Sequence, residues 1–115
     1  MKQDSFKDFV LEQLEELGDI RCRAMFGGYG IYHGDVFFGI IFKGSLYFKT
    51  SGRTRPDYVR QGMKPFSPGK NQTLITYYEV PADILEESGE LLEWASKAIA
   101  SQKETTGNKK KEKSK

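Results

Sequence analysis

The side chains of this 115-residue chain that do chemistry are few and scattered. His33 is the sole histidine. Without a second histidine and a neighbouring acid it makes neither a catalytic triad nor a metal site. Cys22 is the sole cysteine, which excludes an internal disulfide and a cysteine-rich zinc site. It alternates with Ile20 and Ala24, so it is expected to point inward as an inert thiol. Glu86, Glu87, Glu90 and Glu93 form an acidic flank that reads as a solvated helix face. No pair of carboxylates has a defined mutual geometry. The expectation is a chain with no catalytic residues, no cofactor and no metal, hence not an enzyme.

Two patterns suggest binding. The Gly27-Gly28-Tyr29-Gly30 stretch offers backbone amides to an anion. No Lys-Ser/Thr follows it, and a strand rather than a helix comes next. It therefore matches neither a phosphate loop nor a dinucleotide fingerprint, and reads best as a bend between strands. Arg21 and Arg23 point the same way on one strand and are the candidate phosphate contacts, with Arg53, Arg55 and Arg60 clustered further along. Charges that guard an edge strand against aggregation account for Arg21 and Arg23 equally well.

The elements that must position these residues follow from periodicity. Ser5 to Leu17 reads as a helix with Phe6, Phe9, Val10, Leu14 and Leu17 on one face, a Ser5/Asp8 capping box and Gly18 as a left-handed cap. Ile20–Ala24 alternates as a strand. Tyr29–His33, Val36–Phe42 and Leu46–Thr50 read as antiparallel strands, joined by a two-residue turn at Gly34-Asp35 and a three-residue turn at Lys43-Gly44-Ser45. Those turns set Gly30 opposite Gly39 and Gly39 opposite Lys49. Tyr29, Ile31, Phe38, Ile40, Phe42, Leu46 and Phe48 then share the core face. Tyr32, Phe37, Ile41 and Tyr47 line the other, around a glycine floor with Lys49 alongside. A slip of one residue would exchange the faces.

Further on, a short helix is expected within 51–62, capped by Thr54 with Pro56 in its first turn. A loop is expected at Met63–Asn71, a fifth strand at Thr73–Val80, and a C-terminal helix with Leu91, Leu92, Ala95, Ala98 and Ile99 inward and Trp94 on its flank. This order gives an α+β fold, with one antiparallel sheet of about five strands packed by terminal helices.

One core is consistent with the length, the 37% apolar share and the 13% aromatic share. No apolar run approaches the roughly 20 residues of a membrane span, and the polar N-terminus carries no secretory signal. A cytoplasmic protein without membrane contact is expected. The net charge of +2 hides a split. Lys103, Lys109, Lys110, Lys111, Lys113 and Lys115 against Glu104 and Glu112 give the end of the chain +4. Removing those six of 18 basic and two of 16 acidic residues leaves 12 against 14, or −2, which is not the footprint of a nucleic-acid-binding domain. The expected division is a domain over 1–101 and a disordered lysine-rich tail over 102–115.

The run Arg23-Ala24-Met25-Phe26-Gly27-Gly28-Tyr29-Gly30-Ile31-Tyr32 resembles the signature of the TfoX/Sxy N-terminal domain family. The likeness continues through Leu46-Tyr47-Phe48-Lys49, Gly62-Met63-Lys64-Pro65-Phe66, Tyr77-Tyr78-Glu79-Val80-Pro81 and Trp94. It implies a compact α+β domain of secretion-chaperone-like architecture. The best-known members promote natural competence as transcriptional co-regulators, together with a cyclic-AMP receptor protein.

The leading expectation is a regulatory module that binds a protein partner, with homodimer formation through the same surface. The candidate surface comprises Met25, Phe26, Gly27, Gly28 and Gly30 of the bend together with Tyr32, Phe37, Gly39, Tyr47 and Lys49 of the sheet. The alternatives are nucleic-acid binding through the arginines and weakly through the lysine tail, and a small ligand in the Gly30/Gly39/Lys49 groove.

Overall fold

Strand alternation in the middle of the chain and amphipathic helices at its ends dictate a sheet covered from one side. The computed structural model describes residues 3–25, 27–69 and 72–114, with side chains placed at 5–25, 27–69 and 72–104. In chain order the elements are α1 (Gln3–Gln13), a 3-10 turn (Glu15–Leu17), β1 (Ile20–Met25), β2 (Gly28–His33), β3 (Val36–Phe42), β4 (Ser45–Lys49), α2 (Arg55–Arg60), β5 (Pro65–Gly69), β6 (Gln72–Glu79), α3 (Ala82–Glu86) and α4 (Ser88–Ser114). The fold is α+β. One antiparallel sheet of six strands runs in the order β1-β2-β3-β4-β6-β5.

The main core lies between the sheet and the helices. Phe6 and Val10 of α1, Leu14 between α1 and the 3-10 turn, Tyr58 of α2, and Leu91, Ala95, Ala98 and Ile99 of α4 pack against Ile31, Phe38, Ile41, Leu46 and Phe48 of the sheet. Each large side chain buried there contributes roughly 1.5–3 kcal/mol. The apolar spacing along α1 and α4 finds its partner in this face.

The structure departs from the sequence reading in four places. First, the segment at Met63–Asn71 expected as a loop contains β5, a sixth strand. Among the described residues β5 lies at the sheet's edge with one side unpaired, where Pro65 and Pro68 need withhold no ladder donor.

Second, the Lys43-Gly44-Ser45 turn is one residue shorter. Phe42 pairs with Ser45, and Lys43 and Gly44 take positive φ of 49° and 76°. That left-handed pair suits a two-residue hairpin turn.

Third, β3 carries a bulge. His33 pairs with Val36 and Tyr32 with Phe37 as expected, but Ile31 then pairs with Gly39 and Gly30 with Ile40. Phe38 is the extra residue.

Fourth, α1 starts ahead of Ser5, so Ser5/Asp8 is not its cap. Gly18 has φ of 73° but an extended ψ of 156°, not a left-handed cap. Apart from these four departures, α4 is described as far as Ser114. Ser101 is buried, and Arg53 forms an ion pair with Glu104. The lysines of the tail from 109 onward lie outside the residues with placed side chains.

Candidate functional site

The bulge at Phe38 decides which side chains face away from the helices. Past it, Ile41 joins Phe38 on the helix side, and Ile40 and Phe42 turn to the other. The sequence reading placed these three the opposite way round, because it counted a bulge-free strand. On the helix-free face Ile40, Phe66 and Tyr77 are buried in a second, smaller cluster, with Phe37, Phe42 and Tyr47 half-buried against it. Among the described residues, no helix contributes to this cluster. Its cover is Phe66 of β5, whose ring meets Phe42 at 5.3 Å and Tyr47 at 4.8 Å.

Toward β1 and β2 this cover ends. Tyr32 and Phe37 lie 5.2 Å apart between ring centroids, and Phe37 lies 5.5 Å from Tyr77, so three rings form a row across the sheet. Such offset, tilted pairs each add about 0.5–1.5 kcal/mol beyond the area they bury. Cations flank the row. Arg21 stands directly across from Tyr32 and Arg23 across from Gly30, both exposed. At the far end Lys49 Nζ lies 5.6 Å from the Tyr77 ring centroid and 3.4 Å from Thr76 Oγ1, to which it donates.

The proposed Gly30–Gly39 trough does not exist. Gly30 pairs with Ile40 and Gly39 with Phe48, and the two glycines face opposite sides of the sheet. A Cβ on Gly30 would run into the Met25 sulfur and the Phe37 ring, on the helix-free side. A Cβ on Gly39 would meet the Phe48 ring and Ile31 Cβ at 3.4 and 3.5 Å, on the helix side. Gly39 makes room for Phe48 and leaves the candidate surface. The ligand groove that rested on this pair leaves with it. Lys49 is only 9% exposed, and the cavity it lines with Tyr58 and Trp94 is about 10 Å³, the room of about one water.

The other candidates are placed as follows. Met25 ends β1 with its thioether over Gly30. Gly27 takes φ of 79° in the turn, and Gly28 opens β2, buried under the Ile41 carbonyl. Phe26 lies outside the described residues. Thus Met25, Gly30, Tyr32, Phe37, Tyr47 and Lys49 share one face with Arg21 and Arg23. Sequence reasoning missed Ile40, Phe42, Phe66 and Tyr77. Strand alternation within β6 signals Tyr77; Phe66 was hidden between two prolines.

Burial holds the Tyr47 and Tyr77 phenols of this face in their protonated form. Burial pushes the Tyr77 phenol well above its usual range, with Tyr32 adding to the effect. Tyr47 is raised by burial first and by the Glu79 carboxylate second, and a hydrogen bond with Ser45 offsets part of this. The Cys22 thiol, on the helix side of β1, is raised by burial, eased by Lys7 and raised again by Asp8. None of the three is activated as a nucleophile or base. Among the described residues, no group of three or more His, Cys, Asp or Glu is placed to hold a metal ion, and no helix is long and apolar enough to cross a membrane.

Residues 12–102 match the family profile of the TfoX N-terminal domain. The DNA transformation protein TfoX1 of Aliivibrio fischeri is similar in sequence, 30% identical over 80 residues. Those residues make up 68% of this chain and 36% of that protein.

Proposed function

We propose, from the premise that this chain belongs to the TfoX N-terminal domain family, that it is a cytoplasmic regulatory module acting by binding a protein partner. The surface is the helix-free sheet face, and the process served is DNA transformation, for which the similar Aliivibrio fischeri protein is named. One observation carries the reading: the row Tyr32–Phe37–Tyr77 is built and held by ring contacts, yet Tyr32 and Phe37 remain half-buried beyond the cover of Phe66. Rigid aromatic rings with a polar tip and a neighbouring arginine are the residue types that dominate binding energy at protein interfaces. The raised, unactivated Tyr47 and Tyr77 phenols favour recognition over chemistry.

The test is affinity capture from cell extract with the native chain and with Tyr32→Ser/Phe37→Ser, each checked for folding. A partner retained by the native chain and lost at least tenfold by the folded variant supports the reading. Equal capture by both contradicts it. Arginine beside stacked rings is also the chemistry of a single-strand nucleic-acid platform. A DNA titration at two salt concentrations, on a chain ending at residue 102, separates the two. Salt-sensitive binding that survives loss of the tail and vanishes in the ring variant overturns the protein-partner reading. A second copy on the same face would show as dimers in sedimentation that the ring variant abolishes.

A further inference from the structure

We infer that the free edge of β1 accepts an extended, acidic segment of a partner protein as a seventh strand. This site is separate from the aromatic row, because it uses the main chain of β1.

The two edges of the sheet differ. β5 is five residues long, carries Pro65 and Pro68, and pairs with β6 through two register shifts. Prolines and irregular register are the usual means by which an edge is closed to further pairing. β1 has six residues, no proline, and an unbroken register with β2 from Ile20–His33 to Met25–Gly28. Gly34 N donates to Asp19 O at 2.9 Å. Counting along the alternating antiparallel ladder from that bond, Arg21, Arg23 and Met25 direct their main-chain groups at β2. Ile20, Cys22 and Ala24 direct theirs outward, unpaired by any other strand among the described residues.

The side chains select the occupant. Arg21 and Arg23 project from the helix-free face and are exposed, and Arg21 has only a surface ion pair with Asp19, 3.3 Å from Nε. Such a pair is worth about 0–1 kcal/mol and yields readily to a better one. A second copy is disfavoured. An antiparallel pairing of two β1 strands centred on Cys22 sets Arg21 of each copy against Arg23 of the other, and like charges directly opposed destabilise a sheet. The same positions welcome carboxylates spaced two residues apart on an incoming strand. A depression of about 430 Å³ lined by Arg21, Cys22, Arg23, Tyr32, Gly34 and Asp35 receives their side chains. Asp19 and Asp35 lie at its turn end, so the acids favour the Arg23 end. Strand addition of this kind draws affinity from main-chain bonds and specificity from alternate side chains.

The probes are two acetylated hexapeptides, one alternating valine with glutamate and one alternating valine with lysine, titrated into the full chain. The glutamate peptide is expected to bind and to slow hydrogen exchange at the amides of Ile20, Cys22 and Ala24 at least tenfold, with little change at Arg21 and Arg23. Arg21→Glu/Arg23→Glu should weaken it at least tenfold and accept the lysine peptide instead. Ala24→Pro, which removes an outward donor and no ladder bond, should weaken both pairings. The inference is overturned by absence of binding, by binding indifferent to charge reversal, or by protection of the same three amides that grows with protein concentration alone. Since these variants leave Tyr32 and Phe37 intact, failure here and failure of the aromatic-face reading are distinguishable.

Discussion

The two faces of the sheet are built from the same residue types and do different things. On the helix side Ile31, Phe38, Ile41, Leu46 and Phe48 are sealed, each at most 1% exposed, by the apolar stripes of α1 and α4 and by Tyr58 of α2. On the other side the cover is one ring, Phe66, and the cluster thins into half-buried Phe37 and Tyr32, with polar tips and cations at both ends. A face closed by helices is committed to stability. A face closed by a single ring keeps aromatic area in hand for a partner. The extra residue at Phe38 draws the line between them, because it sends Ile40 to one side and Ile41 to the other.

The comparison breaks first, and most visibly, at Phe48. Phe48→Ala empties the centre of the helix-side core and should lower stability by about 3–5 kcal/mol, measured by urea unfolding. A loss below about 1 kcal/mol would mean that the helix side is not the principal core. A smaller effect sharpens the contrast through two tyrosines, one on each face. Burial raises the phenols of Tyr58, on the helix side, and Tyr77, on the open side, above their ordinary value of 10.0, and Asp57 adds to the rise at Tyr58. The folded state therefore holds these protons more tightly than the unfolded one. The stability they contribute is whole below pH 10 and falls as pH climbs past it toward the folded values. Unfolding midpoints between pH 9 and 11 should drop less steeply in Tyr58→Phe, and to a lesser degree in Tyr77→Phe, than in the native chain. Parallel slopes in all three would contradict the assigned burial.

Much of the fold is legible in the chain, and the reasons for the misses are local. Repeated three- and four-residue spacing in α1 and α4, apolar–charged alternation in β1 and the β-branched and aromatic richness of β6 are strong signals. The hairpin at Gly34-Asp35 is equally plain. A bulge has no such mark: Val36-Phe37-Phe38-Gly39-Ile40-Ile41-Phe42 is apolar almost throughout, so no alternation reveals where a residue is inserted. Lys43 at positive φ is a second blind spot, since a non-glycine residue there is uncommon and shortens the turn by one. Together these errors exchanged faces for Ile40, Ile41 and Phe42 and produced a glycine pair that the fold does not contain. Tyr32, Phe37, Tyr47 and Lys49 kept their face, because the reading of each was anchored near a turn or recovered by two compensating shifts.

Isoleucine methyl resonances test the division of labour most directly, because neighbours 40 and 41 report on opposite sides of one strand. On addition of the protein recovered by affinity capture, the Ile40 methyl should shift with the rings around it while those of Ile31 and Ile41 hold still. Movement of Ile31 and Ile41 with Ile40 unmoved would place the contact under the helices and contradict the account.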